Sequence, residues 1–192
     1  MKKFLSILIA FVLICSLGAC SATKSDSTTA TSAATTVTAV PTNAQIIAAY
    51  NKATQIYFYF EVNSLDVDSK VTVKDAGKTY YKVKDYSTLA DLKVYMETVL
   101  SNNLVNNLID KTDVYREFNG VLYSVDGARG TDITLGKETV SVTQSSNSIF
   151  TVTVKVEKLG DDHKTVTGYE TFKDIYSNVD GKWAFTGFIY FR

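Results

Sequence analysis

Cysteine, histidine, proline and arginine are scarce in this 192-residue chain, and their scarcity limits its chemistry. Both cysteines lie at the N-terminus, Cys15 within an apolar run and Cys20 just after it. Removal of the run with Cys15 leaves no possible disulfide, and lipidation of Cys20 would leave no thiol for a nucleophile or a metal site. The single histidine, His163, cannot assemble a zinc site, which commonly takes three or four protein ligands. We therefore expect no metal and no other cofactor.

Groups for nucleophilic catalysis are equally sparse. His163 lies in Gly160-Asp161-Asp162-His163-Lys164, a polar stretch that is typical of a surface turn between strands. No serine occupies a Gly-x-Ser-x-Gly motif, so a Ser-His-Asp triad is not expected. The chain is not expected to be an enzyme.

One pair of carboxylates deserves a separate interpretation. Glu170 and Asp174 share a face of a predicted strand with Phe172 and Tyr176, so a carboxylate that entered an aromatic pocket there would have a raised pKa. A β-bulge near Gly168 would instead return both carboxylates to solvent, and we favour this alternative. If a pocket forms, its candidate lining residues are Tyr169, Glu170 and Trp183.

Positive charge is neither abundant nor clustered. The chain contains 20 Lys and Arg residues against 20 Asp and Glu residues, and its three arginines are far apart in the sequence. A groove that follows nucleic-acid phosphates needs clustered Lys and Arg. We expect no nucleic-acid partner.

Residues 1–19 have the organisation of a lipoprotein signal peptide. Lys2 and Lys3 precede an apolar run over residues 4–17, and Leu17-Gly18-Ala19-Cys20 places small residues directly before a cysteine. The run is too short to span the ~30 Å hydrocarbon core of a bilayer unaided. We expect cleavage before Cys20 and a lipid on Cys20 that anchors the protein at the extracytoplasmic face of the cell membrane. An ordinary secretory signal with an incidental Cys20 is the alternative.

A tether and a single domain follow the signal. Residues 20–43 are rich in Ser, Thr and Ala, a composition that cannot bury enough apolar area to order the chain. Pro41, the only proline, marks the end of this flexible tether. Residues 44–192 are long enough for one domain, which we expect to be a monomer.

The first part of the domain has helical periodicity interrupted by a hairpin. Asn43 is predicted to cap a helix that starts at Ala44. Asp75-Ala76-Gly77 is predicted to turn a β-hairpin. Thr88 with Asp91 has the spacing of a capping box, and Ser101 is predicted to cap a third helix.

The second part has the two-residue period of an antiparallel meander. The change comes after Lys111, and Asn119-Gly120 is typical of a type I′ turn. The last strand is predicted over residues 182–191, with Trp183, Phe185, Ile189 and Phe191 on one face. We therefore predict an α+β fold in which N-terminal helices pack on a curved antiparallel sheet, as in cystatin-like or nuclear-transport-factor-like folds.

One charged loop contributes little to any apolar stripe. It consists of Asp126-Gly127-Ala128-Arg129-Gly130-Thr131-Asp132, and its two glycines permit sharp turns. An arginine between carboxylates can either satisfy the loop internally or offer a rigid fork to a partner's carboxylate. Both alternatives stay open. The candidate partner-binding residues are Asp126, Arg129, Thr131 and Asp132.

An ordered set of motifs resembles the DL-endopeptidase inhibitor (IseA-type) family of Gram-positive bacteria. The resemblance spans nearly the whole domain from Ala44. The motifs are Gly77-Lys78-Thr79-Tyr80-Tyr81-Lys82-Val83, Thr88-Leu89-Ala90-Asp91-Leu92, Arg129-Gly130-Thr131-Asp132-Ile133, Thr165-Val166-Thr167-Gly168-Tyr169-Glu170 and Val179-Asp180-Gly181-Lys182-Trp183.

The resemblance implies a function that depends on binding. Members of this family are secreted or lipid-anchored, and the resemblance implies binding to papain-like cysteine peptidases that cut peptidoglycan stems, which restrains autolysis. The partner would be such a cell-wall endopeptidase, met by an acidic loop. The alternative hypothesis is a ligand-binding lipoprotein with an aromatic pocket for a small molecule or wall fragment.

Overall fold

Three α-helices and eight β-strands make up residues 39–192, the part of the chain that this computed structural model describes. The predicted signal of residues 1–19, Cys20 and the tether up to residue 38 lie outside the described residues. In chain order, the elements are α1 (Asn43–Glu61), β1 (Val67–Asp75), β2 (Lys78–Val83), α2 (Leu89–Met96), α3 (Asn102–Lys111), β3 (Tyr115–Phe118), β4 (Val121–Val125), β5 (Leu135–Ser146), β6 (Ile149–Leu159), β7 (Val166–Val179) and β8 (Lys182–Gly187).

The strands form two antiparallel sheets, and the predicted α+β class is confirmed. Sheet 1 has the order β1-β2-β4-β3, and sheet 2 has the order β5-β6-β7-β8. The predicted meander is therefore interrupted after β4. The reason is that β4 pairs with β2 of the earlier hairpin, with Tyr80 opposite Val125, so only β5 to β8 form a continuous meander.

Capping boxes start the first two helices. For α2 the prediction is confirmed, since the Asp91 N–H donates to the Thr88 hydroxyl at 3.1 Å and the Thr88 N–H to the Asp91 carboxylate at 3.0 Å. For α1 the cap is Thr42 instead of Asn43, because Gln45 stands three residues after Thr42 and completes a reciprocal capping box. In residues 39–192, no helix is both long and apolar enough to cross a membrane.

The predicted hairpin turns are also present. Asn119 and Gly120 have φ angles of 51° and 75°, the two left-handed residues that a type I′ turn requires. Ala76 and Gly77 have φ angles of 47° and 78°, so the first hairpin turns in the same way. Both turns depend on local residue choice, which explains why the sequence predicts them well.

One hydrophobic core joins the helices to both sheets. It includes Ile46 of α1, Val83 of sheet 1, Leu92 of α2, Val105 of α3 and Val152 of sheet 2. Residues 39–192 accordingly form one compact unit. Val152, Val154 and Val156 form the inward row of β6 and are completely buried.

The last five residues do not continue β8. The strand ends at Gly187, and residues 188–192, which we call the C-terminal segment, cross the inner face of sheet 2. The Ile189 N–H donates to Asp174 on β7 at 2.8 Å, and the Phe191 ring stacks on Phe172 with ring centroids 4.6 Å apart. Arg192 then pairs with Glu138 on β5.

Helix α1 covers the C-terminal segment. The ring of Tyr57 stacks on Phe188 and Tyr190, with centroid distances of 4.8 Å and 5.8 Å. The segment thus lies between α1 and sheet 2. The prediction that the last strand extends to residue 191, with Ile189 on the face of Trp183, is wrong: the chain leaves the strand after Gly187, and Ile189 is 46% exposed.

Asp174 is the buried charged group of this region. Its side chain is fully buried, Oδ1 accepts the Ile189 N–H, and Oδ2 has no hydrogen-bond partner among residues 39–192. Burial raises the pKa of this carboxyl from 3.8 to about 6. Glu170, four residues earlier, is exposed.

The expectation that both carboxylates face solvent is therefore wrong for Asp174. A register irregularity does lie near Gly168, but it comes before Glu170. Glu170 and Asp174 consequently lie opposite Val156 and Val152 of the buried row of β6. Their side chains therefore point to the same face of sheet 2 as that row. Asp174 is covered there, whereas Glu170 lies nearer the beginning of β7, where the face is open.

Because burial raises the pKa of Asp174, the folded protein binds a proton there more tightly than the unfolded chain does. The free energy of unfolding should therefore decrease as the pH rises from about 4 to about 7. Asp174→Asn cannot ionise and still offers an acceptor to the Ile189 N–H. Between about pH 4 and pH 7 we expect this variant to lose about 1–3 kcal/mol less free energy of unfolding than the wild type. Urea unfolding of residues 36–192 across this pH range measures the free energy of unfolding of both proteins. The exposed Glu170→Gln is the control and should keep the wild-type slope; an unchanged slope in Asp174→Asn would contradict the prediction.

Candidate functional site

The loop that carries the predicted partner-binding residues connects the two sheets. Residues 126–132, called the 126–132 loop below, follow β4 of sheet 1 and precede β5 of sheet 2, and all seven are exposed. Gly127 and Gly130 have φ angles of 120° and 90°. A Cβ atom at either position would contact nothing within 4 Å, so glycine is needed here for backbone conformation and not for space.

Arg129 fixes this loop to the end of α1. Its backbone N–H donates to the Val62 carbonyl at 2.6 Å. Its guanidinium donates through Nε and Nη2 to four further carbonyl oxygens, those of Tyr59 (3.4 Å), Phe60 (3.2 Å), Glu61 (3.2 Å) and Asn63.

The end of a helix is a favourable place for this cation. The last carbonyl groups of a helix have no partners within the helix and carry partial negative charge. Tyr115 of β3 adds to the cap, since its hydroxyl donates to the Tyr59 carbonyl and accepts the Leu65 N–H, each at 3.0 Å. Arg129 therefore satisfies carbonyl groups of its own chain, and the rigid fork considered for a partner's carboxylate is engaged internally.

The carboxylates of the loop are left for solvent or a partner. Asp132 accepts from the Thr134 hydroxyl at 2.6 Å and from its N–H at 2.9 Å, and these bonds lower the pKa of the carboxyl, which keeps it charged. Asp126 and Thr131 are exposed on the same loop. The structure thus brings two acidic residues and a threonine onto one loop whose position Arg129 determines.

Ile133 is a candidate contact residue that the sequence reasoning did not select. Its side chain is 63% exposed, directly after Asp132. Single exposed apolar side chains are common on protein surfaces, so Ile133 draws attention only through its position directly after the acidic loop. The signal was present in the sequence, because Ile133 belongs to no apolar stripe of the neighbouring strands.

The predicted pocket residues do not come together. Tyr169 and Glu170 are neighbours on β7 and point to opposite faces. Tyr169 is 57% exposed with Lys155 Nζ 3.8 Å from its ring centroid, whereas Trp183 is buried and its Nε1 donates to the Ala39 carbonyl at 3.1 Å. An aromatic pocket lined by these three residues is therefore not formed.

Two clefts open on the surface elsewhere. The larger, of about 400 Å³, lies between the start of α3 and the turn after β7, and no aromatic side chain lines it. The smaller, of about 190 Å³, lies beside Arg129 and Phe60, between the ends of α1 and α3. Neither cleft contains Glu170, Tyr169 or Trp183.

His163 lies in the β6–β7 turn and is exposed, as its polar surroundings predicted. The neighbouring Asp162 carboxylate accepts from Thr165 and from the Lys164 N–H, and these bonds lower the pKa of its carboxyl. Across residues 39–192, no three His, Cys, Asp or Glu side chains are grouped so that they could hold a metal ion.

Comparison of the chain with protein-family models gave no match, and comparison with curated proteins gave none. The family resemblance of the motifs stays a prediction. The geometry of the 126–132 loop is the structural observation on which a functional proposal can be based.

Removal of the Arg129 side chain should leave the end of α1 uncapped. We expect Arg129→Ala to lower the free energy of unfolding by about 1–3 kcal/mol, because hydrogen bonds to a charged group are lost from several carbonyls. Arg129→Lys should recover part of the loss, since a lysine keeps the charge but not the planar fork. Urea unfolding of residues 36–192 gives these values.

The matched control is Arg116→Ala. The Arg116 guanidinium pairs with Asp75 on the surface, and exposed pairs contribute little, so a loss below about 1 kcal/mol is expected. Equal losses for the two alanine variants would show that Arg129 is an ordinary surface residue.

Proposed function

We propose that the protein is a membrane-anchored extracytoplasmic lipoprotein that inhibits a peptidoglycan DL-endopeptidase of the papain-like cysteine peptidase type. In this proposal the 126–132 loop occludes the active-site cleft of the peptidase and thereby restrains autolysis. The observation that carries the proposal is the exposed acidic loop held in place by Arg129. The lipid on Cys20 would keep the inhibitor near the membrane face of the wall.

A loop that is already ordered loses little entropy when it binds. Five hydrogen bonds from Arg129 to residues 59–63 hold the middle of the 126–132 loop before any partner arrives. Preorganisation of this kind favours affinity because the cost of ordering a binding loop is met during folding. The loop is thus suited to enter a cleft as a rigid body.

The charges of the loop suit the proposed target. A peptidase that accepts an acidic stem peptide should have a positive potential in its cleft. Asp126 and Asp132 would then accelerate association by electrostatic steering, and salt would screen the effect. Ile133 supplies an apolar side chain at the same place.

The alternative, a ligand-binding lipoprotein with an aromatic pocket, has less support. Its predicted lining residues lie apart, and the largest cleft described has no aromatic lining. Asp174, the one buried carboxylate among residues 39–192, lines neither of the two clefts and is covered by the C-terminal segment. These observations favour a protein that acts through its surface.

The test measures hydrolysis of peptidoglycan by purified papain-like wall endopeptidases in the presence of residues 36–192. We expect inhibition by the wild-type fragment and a rise of about tenfold or more in the inhibition constant for Asp126→Asn/Asp132→Asn at low salt, chiefly through slower association. The inhibition constants of the wild type and the double variant should become more similar at high salt, because salt screens the charges of the loop.

The control, Glu97→Gln/Asp180→Asn, removes the same number of charges at the opposite end of sheet 2, where both residues line the larger cleft. It should inhibit like the wild type. If the wild-type fragment inhibits none of the papain-like wall endopeptidases of its own organism, the proposal is wrong. If both double variants lose inhibition equally, the 126–132 loop is not the contact surface.

A further inference from the structure

The two sheets have four edge strands, and these differ in how they are protected. Sheet 1 has the edges β1 and β3, and sheet 2 has the edges β5 and β8. An edge strand presents unpaired backbone N–H and C=O groups that can pair with another chain. Folded proteins usually cover, shorten, bend or charge such edges.

The edge strand β8 is covered by the segment between α2 and α3. The Phe185 N–H donates to the Val99 carbonyl at 2.8 Å, and the Phe185 carbonyl accepts the Ser101 N–H at 2.9 Å. This segment therefore occupies the position of a further strand beside β8.

The edges of sheet 1 are protected in other ways. The strand β3 has four residues, two of which are the charged Arg116 and Glu117. The strand β1 has a register irregularity between Asp68 and Thr72 and carries charged side chains along its length. Short, bulged and charged edges are poor templates for pairing.

The inner face of β5 packs against α1, but among residues 39–192 no backbone segment pairs with the outer edge of its central part. The strand is 12 residues long, and within residues 39–192 it pairs only with β6. Its register is regular from Glu138 to Gln144. Residues 139–144 contain no charge, no proline and no glycine.

In place of the monomer expected from the sequence, we propose that β5 pairs with β5 of a second copy of this chain, antiparallel, across a two-fold axis at Ser141. The two copies of sheet 2 would then form one continuous sheet of eight strands. The pairing is isologous, because the same surface serves both copies.

The sequence of β5 is complementary to itself in this register. Thr139 lies opposite Thr143, Val140 opposite Val142, and Glu138 opposite Gln144, so no like charges face each other. Cross-strand threonine pairs and pairs of β-branched residues stabilise antiparallel strands. The symmetric order of residue types about Ser141 is the observation that favours a second copy as the occupant of the edge.

The register also keeps the two faces of the sheet consistent. Val140 and Val142 are half-buried and pack against the core, whereas Thr139, Ser141 and Thr143 are exposed on the outer face. Pairing at Ser141 places inner residues opposite inner residues and outer residues opposite outer residues, as an antiparallel sheet requires.

The proposed dimer leaves both 126–132 loops free. The loop precedes Leu135 at the beginning of β5, so the two Leu135 residues would lie roughly 40 Å apart at opposite ends of the strand pair. Association through β5 and binding through the loop are therefore separable in experiments.

The first test uses charge pairs in residues 36–192. In Thr139→Glu/Thr143→Glu, glutamates face each other twice across the axis; in Thr139→Glu/Thr143→Lys, opposite charges face each other instead. Residue 139 lies opposite Lys155 on β6, so a glutamate there suits the fold. We expect a dimer for the wild type by sedimentation, at least about tenfold weaker association for the Glu/Glu variant, and recovery of the dimer in the Glu/Lys variant.

A wild-type fragment that stays monomeric up to about 1 mM overturns the proposal. A dimer that responds equally to both variants also overturns it, because the interface then lies elsewhere. A monomer whose β5 variants bind the peptidase less well would identify the peptidase as the occupant of the edge, against the proposal. Circular dichroism confirms that the variants are folded.

The second test is cross-linking. Residues 36–192 contain no cysteine, so Ser141→Cys introduces a single thiol at the two-fold axis. Opposed residues of antiparallel strands are close enough for a disulfide. With copper phenanthroline as the oxidant, Ser141→Cys should form a covalent dimer, whereas Ser69→Cys on the edge strand β1 should not. Equal cross-linking of both variants, or none at Ser141→Cys, contradicts the proposal.

The dimer and the inhibitor proposals can fail independently. The Glu/Glu variant should lose association and keep the inhibition of the peptidase per chain, since Thr139 and Thr143 lie outside the 126–132 loop. The Asp126→Asn/Asp132→Asn variant should keep the dimer mass.

Discussion

The C-terminal end of α1 is the point on which much of the structure depends. A helix end leaves carbonyl groups without partners, and burying or crowding such groups is costly unless donors are supplied. Here Arg129 supplies donors from the connection between the two sheets, and Tyr115 supplies its hydroxyl from sheet 1. One requirement of helix geometry thus positions α1, sheet 1 and the entry into sheet 2 relative to one another.

The packing of α1 on the C-terminal segment is a second constraint. The C-terminal segment lies between α1 and sheet 2, and aromatic rings form most of its contacts. Asp174 holds the backbone of this segment through the Ile189 N–H, although its other oxygen has no hydrogen-bond partner among the described residues. A buried carboxylate of this kind is a cost at neutral pH. Its hydrogen bond to Ile189 offsets part of this cost and holds the chain just after β8 ends.

The two candidate contact surfaces of the protein are the 126–132 loop and the edge of β5. The 126–132 loop is exposed and is held by the hydrogen bonds of Arg129, and residues 139–144 of β5 form an uncharged edge of the sheet that follows. Both surfaces are suited to contact with another protein. Neither depends on a reactive side chain, in agreement with a chain that has one histidine and two cysteines.

The sequence by itself determined the α+β class, most element positions, the glycine turns and the exposed position of the acidic loop, because capping boxes, two-residue periodicity and left-handed turns depend on neighbours a few residues apart. It did not determine whether Arg129 serves a partner or its own chain, since the carbonyl of Glu61 that it binds is 68 residues away. Nor did it determine the burial of Asp174 or the division into two sheets, which depend on the C-terminal segment and on pairing between β2 and β4. Only the tertiary structure decided these points, because long-range packing selects which local alternative is covered and which remains in water.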